Sequence, residues 1–399
     1  MTSFQCSVSR RALLQAGATV VLGMPAILRA EPQPVKLGIL QPVTGALAND
    51  GDLGRLGAEL AITDINAAGG LTALGGAKIA MVFGDNRSNP EAAAQEVERL
   101  NAEGVVAVVG GFASGLCMTA TQAAARYDLP YLIDCAVANQ LTERGLKNTF
   151  RFGPNFSMAA KVALQNLAQL KPAHTVVIVH EDGLFGSGLA KLLETELPKL
   201  GLEVLETIAH PTPARDMSNV VLRIRALQPD LVMPSQYYGE FVLMARTMQQ
   251  QRVRPKGIYA IFGGAASSLR FIKEFPEAAE GVMDCNHWHN PKDPRALELR
   301  KQVEAKGRSY VYNAPINYAA VRLIAQAIEK AGSADRMKLI EALSTQSFDS
   351  SVMPYGQSKF VNGQNINALP LNTQVQGGDV KVIYPAEFAE VKPIFPMKA

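Results

Sequence analysis

Short runs of apolar, largely β-branched residues recur along the chain. They begin at Val35 (VKLGIL), Ile79 (IAMVFG), Val105 (VVAVVGG) and Tyr131 (YLI), and again at Thr175 (TVVIVH), Glu203 (EVLETI), Leu231 (LVMP) and Gly257 (GIYAIF). Both alternating positions are apolar in these runs, the pattern of strands buried on both faces of a parallel sheet. Helical patterns lie between them. One covers Asp52 to Asn66 and is stopped by Gly69-Gly70. Another opens at Asn89-Pro90-Glu91-Ala92, where Asn89 suits a cap and Pro90 the first turn. A third, Ser157 to Leu170, carries Ala160, Leu164, Leu167 and Leu170 along one face. Most successive strand starts are about 26 residues apart, one strand-plus-helix unit. The series runs twice, with a break around Thr149 to Pro154. The fold class is therefore α/β, as two similar lobes, each a parallel sheet flanked by helices.

The remainder does not form a third such sheet. Gly281 to Cys285 is strand-like and is followed by helical patterns at Pro294 to Lys306, Pro315 to Ala331 and Asp335 to Leu343. From Lys359 to Tyr384 the chain alternates around Asn362-Gly363 and Gly377-Gly378, dipeptides that turn antiparallel strands. The chain is expected to return to one lobe and then to the other. That gives a first lobe of residues 31–152 with 286–352, and a second of 153–285 with 353–399.

The N-terminus reads as an address. Arg10-Arg11-Ala12-Leu13-Leu14 precedes an apolar run from Ala16 to Leu28, and Ala30 closes it. A basic stretch, an apolar stretch and a small residue make a signal peptide over residues 1–30, cut after Ala30. The paired arginines point to twin-arginine export into the periplasm. The competing reading, a membrane anchor, would need about 20 apolar residues. Charge follows from this. The chain of 399 residues carries 39 basic and 36 acidic residues, and the leader holds three arginines and no acid. Its removal leaves 36 against 36, which gives no electrostatic case for nucleic acid or an anionic membrane surface.

Most catalytic signatures are missing. The sequence has no Walker loop, no Gly-x-Ser-x-Gly elbow, no His-Glu-x-x-His and no Cys-x-x-Cys pair. Gly110-Gly111-Phe112-Ala113-Ser114-Gly115 follows a strand and opens a helix, but lacks the dinucleotide spacing. No cofactor is expected. Backbone N–H groups at that helix start, with the Ser114 hydroxyl, suit a carboxylate or other small anion; equally, the glycines make a tight turn and Ser114 caps it. Cys285, His287 and His289 alternate and would share one face of an extended segment, a candidate zinc or copper set without a fourth ligand. Trp288 would then face the other way, either beside a cleft or in the core. An odd number of cysteines remains after Cys6 leaves with the signal. A Cys117–Cys135 bridge and three buried thiols are both open.

Several segments together carry a resemblance. They are Leu37-Gly38-Ile39-Leu40-Gln41-Pro42-Val43-Thr44-Gly45, Gly57-Ala58-Glu59-Leu60-Ala61, Asp64-Ile65-Asn66-Ala67-Ala68-Gly69-Gly70 and Gly84-Asp85-Asn86. Val109-Gly110, Asn139-Gln140-Leu141-Thr142, Phe150-Arg151, Asp182 to Gly188 and Tyr237-Tyr238-Gly239 continue it. From about Val35 to Pro385 the chain resembles the periplasmic branched-chain amino acid-binding proteins of ABC transporters. The resemblance implies a type I binding-protein fold, a cleft between two lobes, no catalysis, and delivery of a solute to a membrane permease. A monomer is expected.

Carried over residue by residue, Ser114 matches the serine that holds a ligand carboxylate. Cys135-Ala136-Val137-Ala138 occupies the second carboxylate-binding stretch, where Val137 replaces the usual hydroxyl and leaves backbone donors only. Phe185 and Tyr237 match the aromatic positions of the second lobe. The ammonium-binding glutamate would fall in Phe262-Gly263-Gly264-Ala265 and is absent. A small organic solute, a carboxylic acid (aromatic ones included) or an amide, thus fits better than an ordinary α-amino acid. The expected contacts are Gln41, Ser114, Cys135, Ala136, Val137, Phe185, Tyr237, Phe262, Gly263 and Trp288. Asp50, in a loop where relatives often carry an aromatic, is either a solvated aspartate or a substitute partner for an ammonium group. The competing readings are a conventional amino acid binder using Asp50, a ligand-sensing domain of the same fold, and a metal-dependent exported enzyme.

Overall fold

The computed structural model describes residues 1–3, 32–170 and 173–397. The twin-arginine segment and the cut after Ala30 lie outside them. From Pro32 onward the chain forms one compact unit, and among the described residues no helix is long and apolar enough to cross a membrane.

The first lobe follows the expected series: β1 Val35–Gln41, α1 Ala48–Ala67, β2 Ile79–Asp85, α2 Pro90–Ala102, β3 Ala107–Gly110, α3 Ser114–Ala125, β4 Tyr131–Ile133, α4 Gln140–Glu143 and β5 Thr149–Arg151. The strands are parallel in the order β2-β1-β3-β4-β5. α2 starts as read from the sequence, with Asn89 Oδ1 accepting from Ala92 N at 2.8 Å and Pro90 in the first turn. α1 begins a turn earlier than expected. Its glycines hide the amphipathic pattern because they are there for approach: a Cβ on Gly57 would collide with the Ala314 carbonyl, and one on Gly51 with Pro42 O.

The second lobe repeats the scheme. It contains α5 Phe156–Leu167, β6 Thr175–Glu181, α6 Leu184–Glu196, β7 Glu203–His210, α7 Ser218–Leu227, β8 Leu231–Ser235, α8 Tyr238–Gln250, β9 Gly257–Ile261, the short α9 Leu269–Glu274 and α10 Pro276–Ala279, and β10 Met283–Asn286. Its parallel order, β7-β6-β8-β9-β10, is that of the first lobe. In each sheet the direction of winding reverses beside the first strand. In such sheets ligands sit at that crevice, beyond the carboxyl ends of the strands.

The C-terminal third visits both lobes. α11 Pro294–Ala305 bridges them: Arg295 pairs with Asp349 on one side and Arg300 with Asp379 on the other. α12 Asn313–Ala331 packs on α1, and α13 Arg336–Thr345 follows it. β11 Ser347–Asp349, β12 Gln357–Val361 and β13 Gln364–Asn365 then extend the first sheet, and β14 Leu371–Gln376 and β15 Asp379–Tyr384 extend the second. Both hairpins turn where expected, with positive φ at Asn362-Gly363 and at Gly377-Gly378. The expected lobe boundary after residue 352 is corrected, because β12 and β13 belong to the first sheet. There Arg151 N donates to Gly363 O at 2.7 Å, and the last crossing lies between Asn365 and Leu371. β5, read from the sequence as part of the break, is a strand. The chain thus passes between lobes three times.

Candidate functional site

The turn after β3 is built by necessity rather than preference. A Cβ on Gly110 would collide with Leu40 O, and one on Gly111 would sit 2.5 Å from the Cys117 sulfur. Gly110, Gly111 and Phe112 all have positive φ, a conformation that costs Phe112 stabilisation unless something holds it. The holder is Asp134, 0% exposed at the end of β4. Its Oδ1 accepts from Phe112 N at 3.0 Å, and its Oδ2 accepts from Gln41 Nε2 at 2.8 Å and Asn317 Nδ2 at 3.0 Å.

That turn aims the start of α3 into the space between the lobes. No side chain caps α3, so its first N–H groups have no intrahelical acceptor and carry the positive end of the helix dipole. Ser114 Oγ accepts from Ala138 N at 3.2 Å, which ties the helix start to the segment after β4. Arg151 braces the back of that segment through the Ala136 and Ala138 carbonyls, and burial pulls its pKa down to about 9.

In the second lobe the matching helix start has a carboxylate of its own. Glu181, at the end of β6, accepts from Gly183 N and Gly186 N, both at 2.6 Å, across the first turn of α6. Burial raises the Glu181 pKa against the pull of those two donors. Phe185 on that turn packs against Tyr237 (centroids 5.7 Å apart) and Phe262 (6.2 Å). Phe112 of the first lobe meets Tyr237 of the second at 5.9 Å, and Asn49 accepts from Arg270 across the rim at 2.7 Å.

Between these surfaces lies a cavity of about 340 Å³, lined by Phe112, Ala113, Ser114, Cys135, Ala136, Val137, Phe185, Gln236, Tyr237, Phe262, Asn286, His287 and Tyr312. No lining side chain is an acid, a lysine or an arginine.

The structure thus gathers Ser114, Cys135, Ala136, Val137, Phe185, Tyr237 and Phe262 around one space. The other expected contacts lie outside that lining. Gln41 lies outside the lining, its Nε2 donating to Asp134 and Asn317 while its buried Oε1 has no partner. Gly263 is outside the lining and donates its N–H to Asp284 Oδ1 at 3.1 Å. Trp288, 1% exposed, packs edge-on against Tyr310 and beside His289. Trp288→Phe is accordingly expected to leave solute affinity unchanged in calorimetric titration; a weakened affinity would return Trp288 to the site.

Asp50 is not a solvated aspartate. It lies in the first turn of α1, 3% exposed, and its Oδ1 has no partner. Burial, with a smaller contribution from Glu240 of the opposite lobe, pushes its pKa up to about 7. It is not in the lining, but its charge bears on Cys135, Tyr237 and Tyr312, which are.

The metal set is overturned: among the described residues no cluster of three His, Cys, Asp or Glu could hold an ion. β10 ends at Asn286, so the alternation fails beyond it. Cys285 Sγ turns to Ala159 O, His287 to Cys135 O, and His289 to Tyr310. All three remaining cysteines are free and buried, so the Cys117–Cys135 bridge is not made. Sequence reasoning missed Phe112, Ala113, Gln236, Asn286, His287 as a lining residue, and Tyr312. The place of each at or just beyond a strand end, or before α12, was the available signal.

Two parallel-sheet lobes joined by three crossings, enclosing one small cavity at the carboxyl ends of both sheets, define a two-lobed solute-binding protein. A family model described as periplasmic binding protein matches residues 34–379, and the chain belongs to that family, which consists of solute-binding proteins. Leu/Ile/Val-binding protein homolog 7 of Brucella melitensis is 28% identical over 376 residues, covering 90% of this chain and 94% of that protein. Leu/Ile/Val-binding protein homolog 8 of Brucella suis is 27% identical over 401 residues, covering 96% and 98%. The branched-chain amino acid transporter substrate-binding protein LivJ of Streptococcus pneumoniae, solved with isoleucine, superposes with a TM-score of 0.77 at 21% identity, over 88% of this chain and 100% of that one. The resemblance read from the sequence is borne out, and so is the two-lobed α/β class.

Proposed function

We propose that this protein is the periplasmic solute-binding component of an ABC importer, exported with its leader removed. It captures a small organic solute, a carboxylic acid (aromatic ones included) or an amide, and passes it unchanged to a membrane permease. The observation that carries this reading is the cavity itself. One end offers the open helix start of α3 to an anionic or acceptor group. The other offers Phe185, Tyr237 and Phe262, whose apolar area is worth about 25 cal/mol per Å² buried. Closure of the lobes around the solute supplies the shape change a permease can detect.

A thermal-shift screen of amino acids, amides, aliphatic acids and aromatic acids on the mature protein tests it. A true solute stabilises by about 2.7 kcal/mol at a hundredfold excess over its dissociation constant. No shift with any compound removes the reading.

A second reading, an amino acid binder that pairs the ammonium group with Asp50, is favoured by the unpartnered buried Oδ1 of that residue. The named relatives point the same way. Asp50→Ala decides: unchanged affinity for the best amine-bearing compound excludes it, and a loss of tenfold or more supports it.

A further inference from the structure

His287 follows β10 on the second crossing, and its side chain lines the cavity. Its Nε2 lies 3.1 Å from the carbonyl oxygen of Cys135 in the first lobe. A carbonyl oxygen only accepts, so Nε2 carries a proton. Burial drives the imidazole pKa down to about 4, which keeps the ring neutral at physiological pH. A neutral imidazole protonated at Nε2 has a bare lone pair at Nδ1. That nitrogen is buried and has no hydrogen-bond partner in the protein.

The ring is packed on several sides. Phe262 and Tyr312 pack against it at centroid distances of 5.0 and 5.7 Å. Its Cε1 edge lies against Gly153, where even a Cβ would approach to 2.8 Å. An unpaired buried acceptor is costly, and here it belongs to a side chain that lines the binding space.

We propose that His287 is a specificity-determining residue that accepts a hydrogen bond at Nδ1 from a hydroxyl, amide N–H or ammonium group of the solute. The inference rests on the solute-binding reading and narrows it: the solute carries a donor as well as the acceptor met by α3. Simple acids without a donor are selected against, because they leave the lone pair desolvated and unpaired.

The test uses two series of equal carbon skeleton. One is 2-hydroxy-4-methylpentanoate, leucine and 4-methyl-2-oxopentanoate; the other is 3-phenyllactate, phenylalanine and phenylpyruvate. In the series the wild-type protein binds, a donor-bearing member should outbind the oxo acid at least about tenfold, and His287→Phe should compress that ratio towards unity. Should the variant fail to fold, imidazole ¹⁵N resonances of the wild-type protein give the answer. Nδ1 should report an unprotonated nitrogen that shifts towards the protonated value on saturation with the donor-bearing compound and stays in place with the oxo acid. Equal affinities within a series, a ratio unchanged in the variant, or an unresponsive Nδ1 resonance overturns the inference. A tight-binding solute from the wider screen that has no donor overturns it too, while leaving solute binding intact. No binding by any compound overturns both.

Discussion

Asp134→Ala should lower stability by about 3–5 kcal/mol and abolish tight solute binding. The carboxylate is fully buried and accepts from three donors on three separate elements: the Phe112 backbone, Gln41 at the end of β1 and Asn317 in α12. Alanine strands the Phe112 N–H outright. Gln41 Nε2 keeps its bond to Asn317 Oδ1 at 2.9 Å and Asn317 Nδ2 its bond to Asn313 O at 3.0 Å, and both amides lose the charged acceptor. For a lobe-sized cooperative unit this corresponds to roughly 10 °C in thermal midpoint. Binding suffers beyond stability, because Asp134 is what holds Phe112 at positive φ and so sets the direction of α3. Asp134→Asn, which keeps one acceptor oxygen, should recover part of both. Thermal denaturation and calorimetric titration measure the two effects, and a midpoint equal to wild type would refute the assignment.

The second large effect concerns Asp50 and pH. Its pKa in this closed arrangement is about 7, against 3.8 for the free side chain. A carboxylate raised in this way contributes stability that is fully present below the free value and is lost as pH rises through the folded value. Three pKa units correspond to about 4 kcal/mol, an upper bound because the lobes can part and admit water. Glu240 adds repulsion from α8, and the neighbouring Tyr237, Tyr312 and Cys135 supply no counter-charge. Arg270 is held by Asn49 and Glu274 at the rim. The solute-free protein should therefore lose thermal stability between pH 4 and 8, and Asp50→Asn should lose distinctly less. Identical profiles for the two proteins would show that Asp50 is hydrated. An amine-bearing solute, if the second reading holds, should restore stability at pH 8 in the wild type and not in the variant.

Much of the scaffold was legible because parallel strands buried on both faces leave a strong apolar signal. β1 to β4 and β6 to β10 stand where their hydrophobic runs stand, and Asn89-Pro90 opens α2 through its cap. The failures share a cause. β5 and β13 are two or three residues long and are defined by their partners, not by their own composition. The early start of α1 was masked by glycines whose purpose is contact with α12 and Pro42. At the site, the residues after strand ends were recoverable from position and resemblance. The burial of Trp288 and Asp50 was not. Both depend on which way the chain turns once it leaves the sheet, and that is decided by the opposite lobe or by α11 and its neighbours. His287 was noticed for metal chemistry, and only its contact with the Cys135 carbonyl reveals what its two nitrogens are free to do.

The two halves differ in what each offers a solute. Glu181 accepts from Gly183 N and Gly186 N at the start of α6, so the second half already holds a carboxyl group where an anion would land. The equivalent amides of α3 have no such group, so an acidic solute of the proposed kind would meet its donors in the first half, with the aromatic half left to cover it.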